Sequence, residues 1–350
     1  YTPFVLGWIN FSVAIILFWR LSDKIPATSR IGLVGLGIFT AVGLVAGLTF
    51  AKPIIRFGEQ ARYTDKVIYE EQSRYQKLVI TQWKNHYWLY LNGNLQLSTL
   101  DEALYHEPLV HPAMLLHGHP QRVLVLGGGD GFAVREILKH PTVEQVILVD
   151  LDPAMTELGL NHPAMTLYNG HSLEDPRVEI RNQDGFTYME ETLDFFDVIL
   201  IDLPDPKSTD LARLYSREMY RLCERHLTPN GVLVTQAGSP YYATQAFRCI
   251  EATMASSGLS IVPLHNQVLS LGEWGWVLGQ KGAGSDAVVK KRIQELSLPN
   301  SLSLQWLTED ALMAITLFGK DLLPVDSVEV NTIQQPVLHR YYLQGNWEIY

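Results

Sequence analysis

Five aspartates stand where short apolar stretches of this sequence end. Asp130, Asp150, Asp184 and Asp202 follow four successive stretches rich in β-forming residues, and Asp205 comes three residues later. A single acid at a strand end is often only a helix cap. Side chains at the carboxyl ends of parallel strands, however, converge on the crevice where open α/β sheets bind ligands. No basic residue interleaves with these acids to neutralise them, so the crevice is predicted to take a cation.

The segment Asp202-Leu203-Pro204-Asp205-Pro206 has the clearest catalytic chemistry. Its two prolines stiffen the loop and remove backbone donors. The two carboxylates are therefore expected near one another, with solvent on one side. One acid of such a pair can bind an ammonium group while the other removes its proton. Since a protonated amine is not a nucleophile, the segment predicts a base for attack by an amine.

A glycine turn, Gly127–Gly131, lies between two apolar stretches, with a helical pattern after it. This is one βαβ unit of a parallel sheet. The glycines permit a sharp turn and leave room for a ligand, and Asp150 is placed to bind the hydroxyls of a ribose. The alternative is a plain tight turn with a helix cap. GGGDG does not match the dinucleotide pattern or a P-loop, and Asp130 repels phosphate. A cationic nucleoside such as a sulfonium fits better.

The alternation of strands and helices continues beyond this unit. Strands are predicted at Val178–Arg181, Phe196–Ile201 and Gly231–Gln236, helices at Leu211–Leu227 and Ala243–Ser257, and a final antiparallel pair at Leu259–Pro263 and Trp274–Leu278. The fold class is therefore α/β: a Rossmann-like, methyltransferase-type, mostly parallel sheet of seven strands with helices on both faces.

A small antiparallel β-domain precedes this sheet. Its strands are predicted at Tyr63–Glu70, Tyr75–Trp83, Tyr87–Leu91 and Leu95–Ser98, with Asn92-Gly93 as a hairpin turn. A helix over Thr99–His119 connects it to the sheet. Composition alone favours a solvated face for the polar cluster on this helix, which consists of Asp101, Glu102, Tyr105, His106 and Glu107.

Two uncharged apolar stretches, Thr2–Trp19 and Ile31–Ala51, open the chain. Each approaches the ~20 residues that cross a bilayer, so they predict a transmembrane hairpin. Gly43 and Gly47 form a GxxxG motif suited to close helix packing. The alternatives are a core helix of a soluble protein or, for the first stretch, a signal peptide. Basic residues flank both ends of the second stretch, so charge does not set the orientation.

These patterns divide the chain into four parts. The boundaries are 1–51 for the transmembrane helices, 52–120 for the small β-hairpin domain and connecting helix, 121–285 for the nucleoside-binding catalytic domain, and 286–350 for a C-terminal cover segment. Because the chain begins at Tyr1 and not at Met, we expect a fragment or a processed product.

Composition excludes some functions. The formal charge of −10 argues against nucleic-acid binding, which needs a basic surface. The two cysteines, Cys223 and Cys249, cannot build a disulfide framework and show no metal-ligand spacing. We predict no metal and no bound prosthetic group.

The ordered motifs resemble the spermidine synthase (polyamine aminopropyltransferase) family, in the branch where a transmembrane region precedes the enzyme domain. The resemblance runs from about Tyr63 to Gly279 and is specific because the motifs occur in order. The matching pieces are Tyr75-Gln76, Leu91-Asn92-Gly93, Asp101-Glu102 with Tyr105-His106-Glu107, Gly127–Gly131 with Arg135-Glu136, Val149–Asp152, Asp175-Pro176-Arg177, Asp184-Gly185, Asp202–Pro206, Leu214-Tyr215-Ser216 with Tyr220, and Gly272–Gly275.

The resemblance implies a reaction in which the aminopropyl group of decarboxylated S-adenosylmethionine, as co-substrate, moves to a polyamine acceptor. With putrescine as acceptor the products would be spermidine and methylthioadenosine. Asp202 would remove the proton from the attacking amine. The donor would contact Gln76, Gly127, Gly128, Asp130, Asp150, Asp184 and Gly185, and the acceptor would contact Tyr105, His106, Asp130, Asp202, Asp205 and Gln236. A homo-oligomer (dimer or tetramer) in the cell membrane, multi-pass with a cytoplasmic catalytic domain, is also expected.

Three departures from the family pattern concern the substrates. The ribose acid, usually Glu, is Asp150, and the loop after Asp205 lacks its usual proline near position 209. An aromatic residue expected near Val268 is absent, and His265 or Trp274 could substitute. Two other functions stay open: a methyltransferase that uses S-adenosylmethionine, and a catalytically inactive polyamine-binding membrane sensor. An acid at position 130 disfavours the first, and the intact pair of Asp202 and Asp205 disfavours the second.

Overall fold

The structure is a computed structural model that describes residues 2–319 and 327–347. The chain forms two compact units. One comprises residues 1–68 with 81–83, and the other comprises residues 69–80 with 84–350.

The first unit contains two long helices, α1 (Thr2–Leu21) and α2 (Ala27–Gln60), joined by a short 3-10 turn. A Cβ on Gly47 would lie 2.1 Å from the Phe4 ring, and one on Gly7 would lie 2.7 Å from Leu44, so the helices pack antiparallel through these glycines. Gly43 has open space around it, so the predicted GxxxG contact is made by Gly47 alone. The second helix also continues nine residues beyond the predicted end at Ala51.

The small antiparallel sheet has the order β1–β2–β3–β4. Asn92 and Gly93 both have positive φ, as the predicted hairpin turn requires. The strands are β1 (Lys66–Gln72), β2 (Lys77–Trp83), β3 (His86–Leu91) and β4 (Asn94–Ser98).

The connecting helix α3 (Ala103–His117) does not have the solvated face that we predicted. Eleven of its 15 residues are buried, among them His106 and Glu107, and Asp101 and Glu102 just before it are also buried. Composition was misleading because the buried charges have partners far away in sequence, which are described with the site.

The main sheet has seven strands in the order β10–β11–β9–β8–β5–β6–β7. Of these, β11 alone runs against the others, because it pairs antiparallel with both β10 and β9 while the remaining pairs are parallel. The predicted seven-stranded Rossmann-like fold is confirmed. The strands are β5 (Arg122–Gly127), β6 (Gln145–Asp150), β7 (Val178–Asn182), β8 (Phe196–Asp202), β9 (Leu227–Gly238), β10 (Ser260–Val268) and β11 (Gly272–Gln280).

Helices cover both faces of this sheet, so its central strands are apolar on both sides. They are α4 (Phe132–Leu138), α5 (Pro153–Asn161), α6 (Pro163–Asn169), α7 (Gly185–Glu191), α8 (Thr209–Arg213), α9 (Arg217–His226), α10 (Thr244–Ala255), α11 (Asp286–Gln294), α12 (Glu309–Ala314) and α13 (Leu338–Leu343). The single helix predicted over Leu211–Leu227 is two helices, because Ser216 caps α9 by accepting from the Met219 amide.

Two buried clusters form the core. Val123 and Val125 of β5 belong to the cluster that includes α3 and α4, whereas Leu124 and Leu126 belong to the cluster of α7, α9 and α10. Glu107 of α3 holds residues 305–307 of the C-terminal segment. This fully buried carboxylate accepts hydrogen bonds from the backbone amides of residues 305, 306 and 307 at 2.6, 3.0 and 2.6 Å.

Candidate active site

The glycine turn is wedged between the ends of β6 and β8. Gly127 lies opposite Asp202 in the strand register, and a Cβ there would lie 2.1 Å from the Asp202 carbonyl oxygen. The Gly128 amide donates to the same oxygen at 3.1 Å. Gly127, Gly128 and Gly131 all have positive φ, which only glycine adopts freely. The turn therefore sets the predicted base directly beside the predicted donor site.

Asp150 lies on the other side of the turn. Its Oδ2 accepts from the Gly129 amide at 3.1 Å, and its Oδ1 accepts from the Asp152 amide at 2.9 Å. Burial raises the pKa of Asp150 to about 6, although the two amide hydrogen bonds oppose this. A half-buried acceptor at the end of β6 suits a ligand that brings its own hydroxyl donors.

Asp130 stands inside the turn and is half-buried. Its Oδ1 accepts from the Phe132 amide at 2.9 Å, so the carboxylate helps to begin α4. Asn169 holds the Asp130 backbone oxygen at 2.8 Å. These contacts fix Asp130 in the turn, and its contact with an ammonium group stays a prediction.

Asp202 ends β8 and bonds to helix α3. The Tyr105 hydroxyl donates to Asp202 Oδ1 at 2.7 Å. Burial raises the pKa of Asp202 to about 6; the charge of His106 opposes the rise, the charge of Asp130 adds to it, and the Tyr105 hydrogen bond opposes it. The pKa of Tyr105 is raised well above its usual value by burial and by Asp202, so its hydroxyl remains a donor. The site thus holds a base that is ionised at neutral pH.

Asp205 is held from a different direction. The hydroxyl of Tyr342, in α13, donates to Asp205 Oδ2 at 2.6 Å, and Lys207 Nζ lies 3.9 Å from the same oxygen. Burial raises the pKa of Asp205, against the effects of Tyr342 and Lys207. Nothing in the tail sequence signalled Tyr342 as a site residue.

Gln236 is buried and fixes the loop that carries both carboxylates. Its amide donates to the Leu203 carbonyl at 2.8 Å and to the Tyr215 hydroxyl at 2.6 Å, and its oxygen accepts from the Gly238 amide. Tyr215 in turn donates to the Leu203 and Pro204 carbonyls. Contact between Gln236 and an acceptor therefore remains a prediction, because its side chain already has partners.

Asp184 and Gly185 begin α7. Asp184 Oδ1 accepts from the Thr187 amide at 2.9 Å, and Oδ2 accepts from Arg213 at 2.7 Å. The prediction that no basic residue interleaves with the acids is therefore wrong at Asp184, and also at Asp205 beside Lys207. Arg213 comes from α8, and its position in the sequence did not show that it pairs with Asp184. The adenine contact predicted for Asp184 stays a prediction.

Gln76 lies in the turn between β1 and β2. Its backbone N–H donates to Ser73 Oγ at 3.0 Å, and Ser73 Oγ donates to Asp152 Oδ2 at 2.7 Å. This bond ties the Gln76 turn to the end of β6, where Asp150 lies. Ser73 carries no motif and was not predicted.

Within the polar cluster of α3, Glu102, Tyr105 and His106 belong to the site, whereas Glu107 bonds away from it, to residues 305–307. Asp101 accepts from the Ser270 amide at 2.6 Å and fixes the turn between β10 and β11. His106 stacks on Phe132 with ring centroids 5.4 Å apart, and its Nδ1 bonds to Glu102. Tyr105 contacts Trp276 edge to face at 5.4 Å.

The side chains of the two residues suggested as substitutes for the missing aromatic, Trp274 and His265, make no hydrogen bond to the Asp202–Asp205 pair among the described residues. Trp274 is buried, with no hydrogen-bond partner for Nε1 among the described residues. His265 bonds to Glu273 and to the Leu317 carbonyl. Neither contact reaches Asp202 or Asp205.

Across residues 2–319 and 327–347 no cluster of three or more His, Cys, Asp or Glu side chains is arranged to hold a metal. The arrangement places Asp150, Asp130 and Asp202, which were predicted to bind a ribose, bind an ammonium group and act as the base, along one sheet edge. Such a site can bind a cationic nucleoside and deprotonate an amine.

The model of the spermine/spermidine synthase domain matches residues 102–285. The chain is 40% identical to a polyamine aminopropyltransferase of Oceanobacillus iheyensis, over 100% of this chain and 66% of that protein. It is also 40% identical to one of Leptospira interrogans, over 97% and 66%. The chain thus spans just under two thirds of the length of these curated relatives.

Two solved structures have a similar fold. A spermidine synthase in complex with the transition-state analogue AdoDATO has a TM-score of 0.65 and 27% identity, covering 73% of this chain and 86% of its own. The spermidine synthase of Thermotoga maritima has a TM-score of 0.62 and 26% identity, covering 73% and 85%.

Proposed function

This chain belongs to the spermine/spermidine synthase domain family, and from that premise we propose that it is a polyamine aminopropyltransferase. The donor is decarboxylated S-adenosylmethionine, and the acceptor is a primary amine of the polyamine class, with putrescine as the first candidate. The products are then spermidine and methylthioadenosine.

The observation that carries this proposal is the position of Asp202. It lies opposite Gly127 of the glycine turn, its carboxylate accepts from Tyr105, and its pKa is about 6. A carboxylate with this pKa is mostly ionised at neutral pH and can accept the proton that the attacking amine loses.

The reaction balances without a metal. The amine nitrogen forms a bond to the methylene carbon of the aminopropyl arm that is attached to the sulfonium, and the bond between that carbon and sulfur breaks. The bonding electrons stay on sulfur, which leaves as a neutral thioether. The proton lost by the amine goes to Asp202. Asp130 is proposed to hold the ammonium end of the donor arm and Asp205 to hold the acceptor.

We further propose that α1 and α2 anchor the protein in the cell membrane, with the catalytic domain on the cytoplasmic side. Both helices are long and apolar enough to span a bilayer, and neither apolar window is buried within the described structure. A core helix of a soluble protein would be mostly buried. Ile16, Leu36 and Phe39 are instead more than half exposed. A dimer or tetramer is proposed as the assembly.

The proposed activity is tested by product analysis. The full chain in detergent is incubated with decarboxylated S-adenosylmethionine and each of several diamines, and masses are recorded. We expect methylthioadenosine and an amine heavier by one aminopropyl group, and product formation slower by about 10²–10⁴-fold with Asp202→Asn. A parallel reaction with S-adenosylmethionine tests for methyl transfer. Methylated product there, with none from the decarboxylated donor, would replace the proposal with the methyltransferase.

A further inference from the structure

Glu102 and Arg135 form a buried ion pair that the proposed reaction does not use directly. Arg135 Nη2 donates to both Glu102 oxygens, at 2.9 and 2.8 Å. Its other nitrogens donate to Glu136 at 2.7 Å and to the Tyr168 carbonyl at 2.6 Å. Glu102 is only 5% exposed. The pair is thus fixed in place from both sides.

His106 is the group that this ion pair touches. Its Nδ1 lies 3.0 Å from the Glu102 carbonyl oxygen and 3.1 Å from Glu102 Oε2. Both of these are acceptors, so Nδ1 carries a proton. Phe132 stacks on the ring, and Tyr105 contacts it edge to face at 5.0 Å. The ring is 3% exposed, and among the described residues it makes no further hydrogen bond.

We propose that the Glu102–Arg135 ion pair is a positioning element for the reaction, which holds the His106 ring as a cation beside Asp202 and Asp130. Glu102 and Arg135 touch neither substrate in this scheme and act through His106. The inference rests on the proposed function, because it assigns Asp202 as the base that His106 influences.

The charges around His106 set the direction of the effect. Tyr105 and Glu102 face it from α3 and its start, Arg135 stands behind Glu102 on α4, Asp130 comes from the glycine turn, and Asp202 comes from β8. Burial opposes the charged imidazole, but the hydrogen bond and charge of Glu102, with the charges of Asp130 and Asp202, outweigh it, so the pKa of His106 is raised. Reciprocally, the His106 charge lowers the pKa of Asp202.

Removal of the Glu102 charge therefore has a defined consequence. His106 would lose its proton at a lower pH, and Asp202 would lose its cationic neighbour. The pKa of Asp202 would rise, and the ionised base would be present only at higher pH. Loss of an opposite charge within about 4–6 Å shifts a pKa by roughly one to three units.

The test measures kcat/KM as a function of pH for wild type, Glu102→Gln and Glu107→Gln, and compares the acidic limb of the profile, where activity falls as Asp202 becomes protonated. In Glu102→Gln we expect the limb to move up by about one pH unit, with roughly tenfold lower activity below it and recovery at high pH. Glu107→Gln is the matched control, because it removes a buried carboxylate of the same helix whose hydrogen bonds, within residues 2–319 and 327–347, go to the backbone of residues 305–307. Its limb should stay at the wild-type pH.

A folded Glu102→Gln protein with the wild-type limb would overturn the inference. If that variant does not fold, Arg135→Lys is tested in its place. It keeps the cation but loses the hydrogen bonds to both Glu102 oxygens, so the acidic limb should move up in pH by a smaller amount. An acidic limb at the wild-type pH in Arg135→Lys would also overturn the inference.

A second measurement does not depend on activity. In the full chain labelled with ¹³C-histidine, the His106 signal, assigned with His106→Gln, should titrate above the ordinary pKa of about 6.5 and shift down in Glu102→Gln or Arg135→Lys. Equal midpoints would refute the positioning role. If wild type forms no product while this titration behaves as expected, only the proposed function fails.

Discussion

Replacement of Tyr105 by Phe removes one hydroxyl from the site and leaves the ring in place. That hydroxyl donates to Asp202 at 2.7 Å and lowers the pKa of Asp202. Trp276 and His106, which contact the ring, keep their partner. The substitution therefore changes the strength of the base with little change of shape.

The size of the change follows from the type of bond. A hydrogen bond to a charged group contributes about 1.5–3 kcal/mol, and each pKa unit corresponds to about 1.36 kcal/mol, so the pKa of Asp202 should rise by about one to two units. From a pKa of about 6, the acidic limb should move to between about 7 and 8. The pKa of Asp202 rises because the lost hydrogen bond from Tyr105 had favoured the ionised carboxylate.

The assay is kcat/KM for product formation from pH 5 to pH 9, which reports the free enzyme. At pH 6 the Tyr105→Phe protein should be about 5- to 50-fold less active than wild type, and at pH 9 within about twofold, because Asp202 is then ionised in both. Tyr220→Phe, which removes a fully buried hydroxyl in the core, is the control. A limb that stays at the wild-type pH or moves down would refute Asp202 as the base or Tyr105 as its partner.

The other predictions concern the base, the donor and the anchor. Asp202→Asn should lower turnover by about 10²–10⁴-fold. The same variant should also be more stable than wild type at pH 8, by on the order of 1–3 kcal/mol in denaturant unfolding. The reason is that burial raises the folded-state pKa of Asp202 from 3.8 to about 6, so ionised Asp202 destabilises the fold at higher pH. An unstabilised variant would contradict the burial argument, and one that keeps a tenth of wild-type turnover would exclude Asp202 as the base. Calorimetry should give roughly 10- to 1000-fold weaker binding of S-adenosylmethionine than of its decarboxylated form, because its carboxylate meets Asp130; Asp130→Asn should narrow this gap, and equal wild-type affinities would count against Asp130. A chain that starts at Ala61, after α2, keeps every residue of the candidate site and should sediment as soluble, active protein; a folded but inactive product would show that the helices contribute to catalysis.

The sheet and the positions of its acids could be predicted because the signals are local. Strands β6 and β8 are apolar runs that end at Asp150 and Asp202, and parallel strands must place those ends on one edge. The hairpin at Asn92-Gly93 was equally local, since two residues decide the turn.

The prediction failed where a residue's partner is distant in sequence. Composition placed Glu102 and Glu107 on a solvated face, yet Glu102 is paired with Arg135 and Glu107 with backbone amides about 200 positions later. Tyr342 is 137 positions from Asp205 and lies in a tail without a periodic pattern. Buried charges of this kind are stable only because of partners that a single helix pattern does not contain.

The bond between Tyr342 and Asp205 also has a consequence for biosynthesis. A chain emerging from the ribosome displays both carboxylates and all seven sheet strands well before α13 is synthesised. Until then Asp205 lacks its hydroxyl donor, and Glu107 must wait for residues 305–307 to satisfy its carboxylate. The hydrogen bond to Asp205 thus forms only after the whole sheet has been synthesised, and a product terminated between α12 and α13 would carry the sheet without the Tyr342 donor.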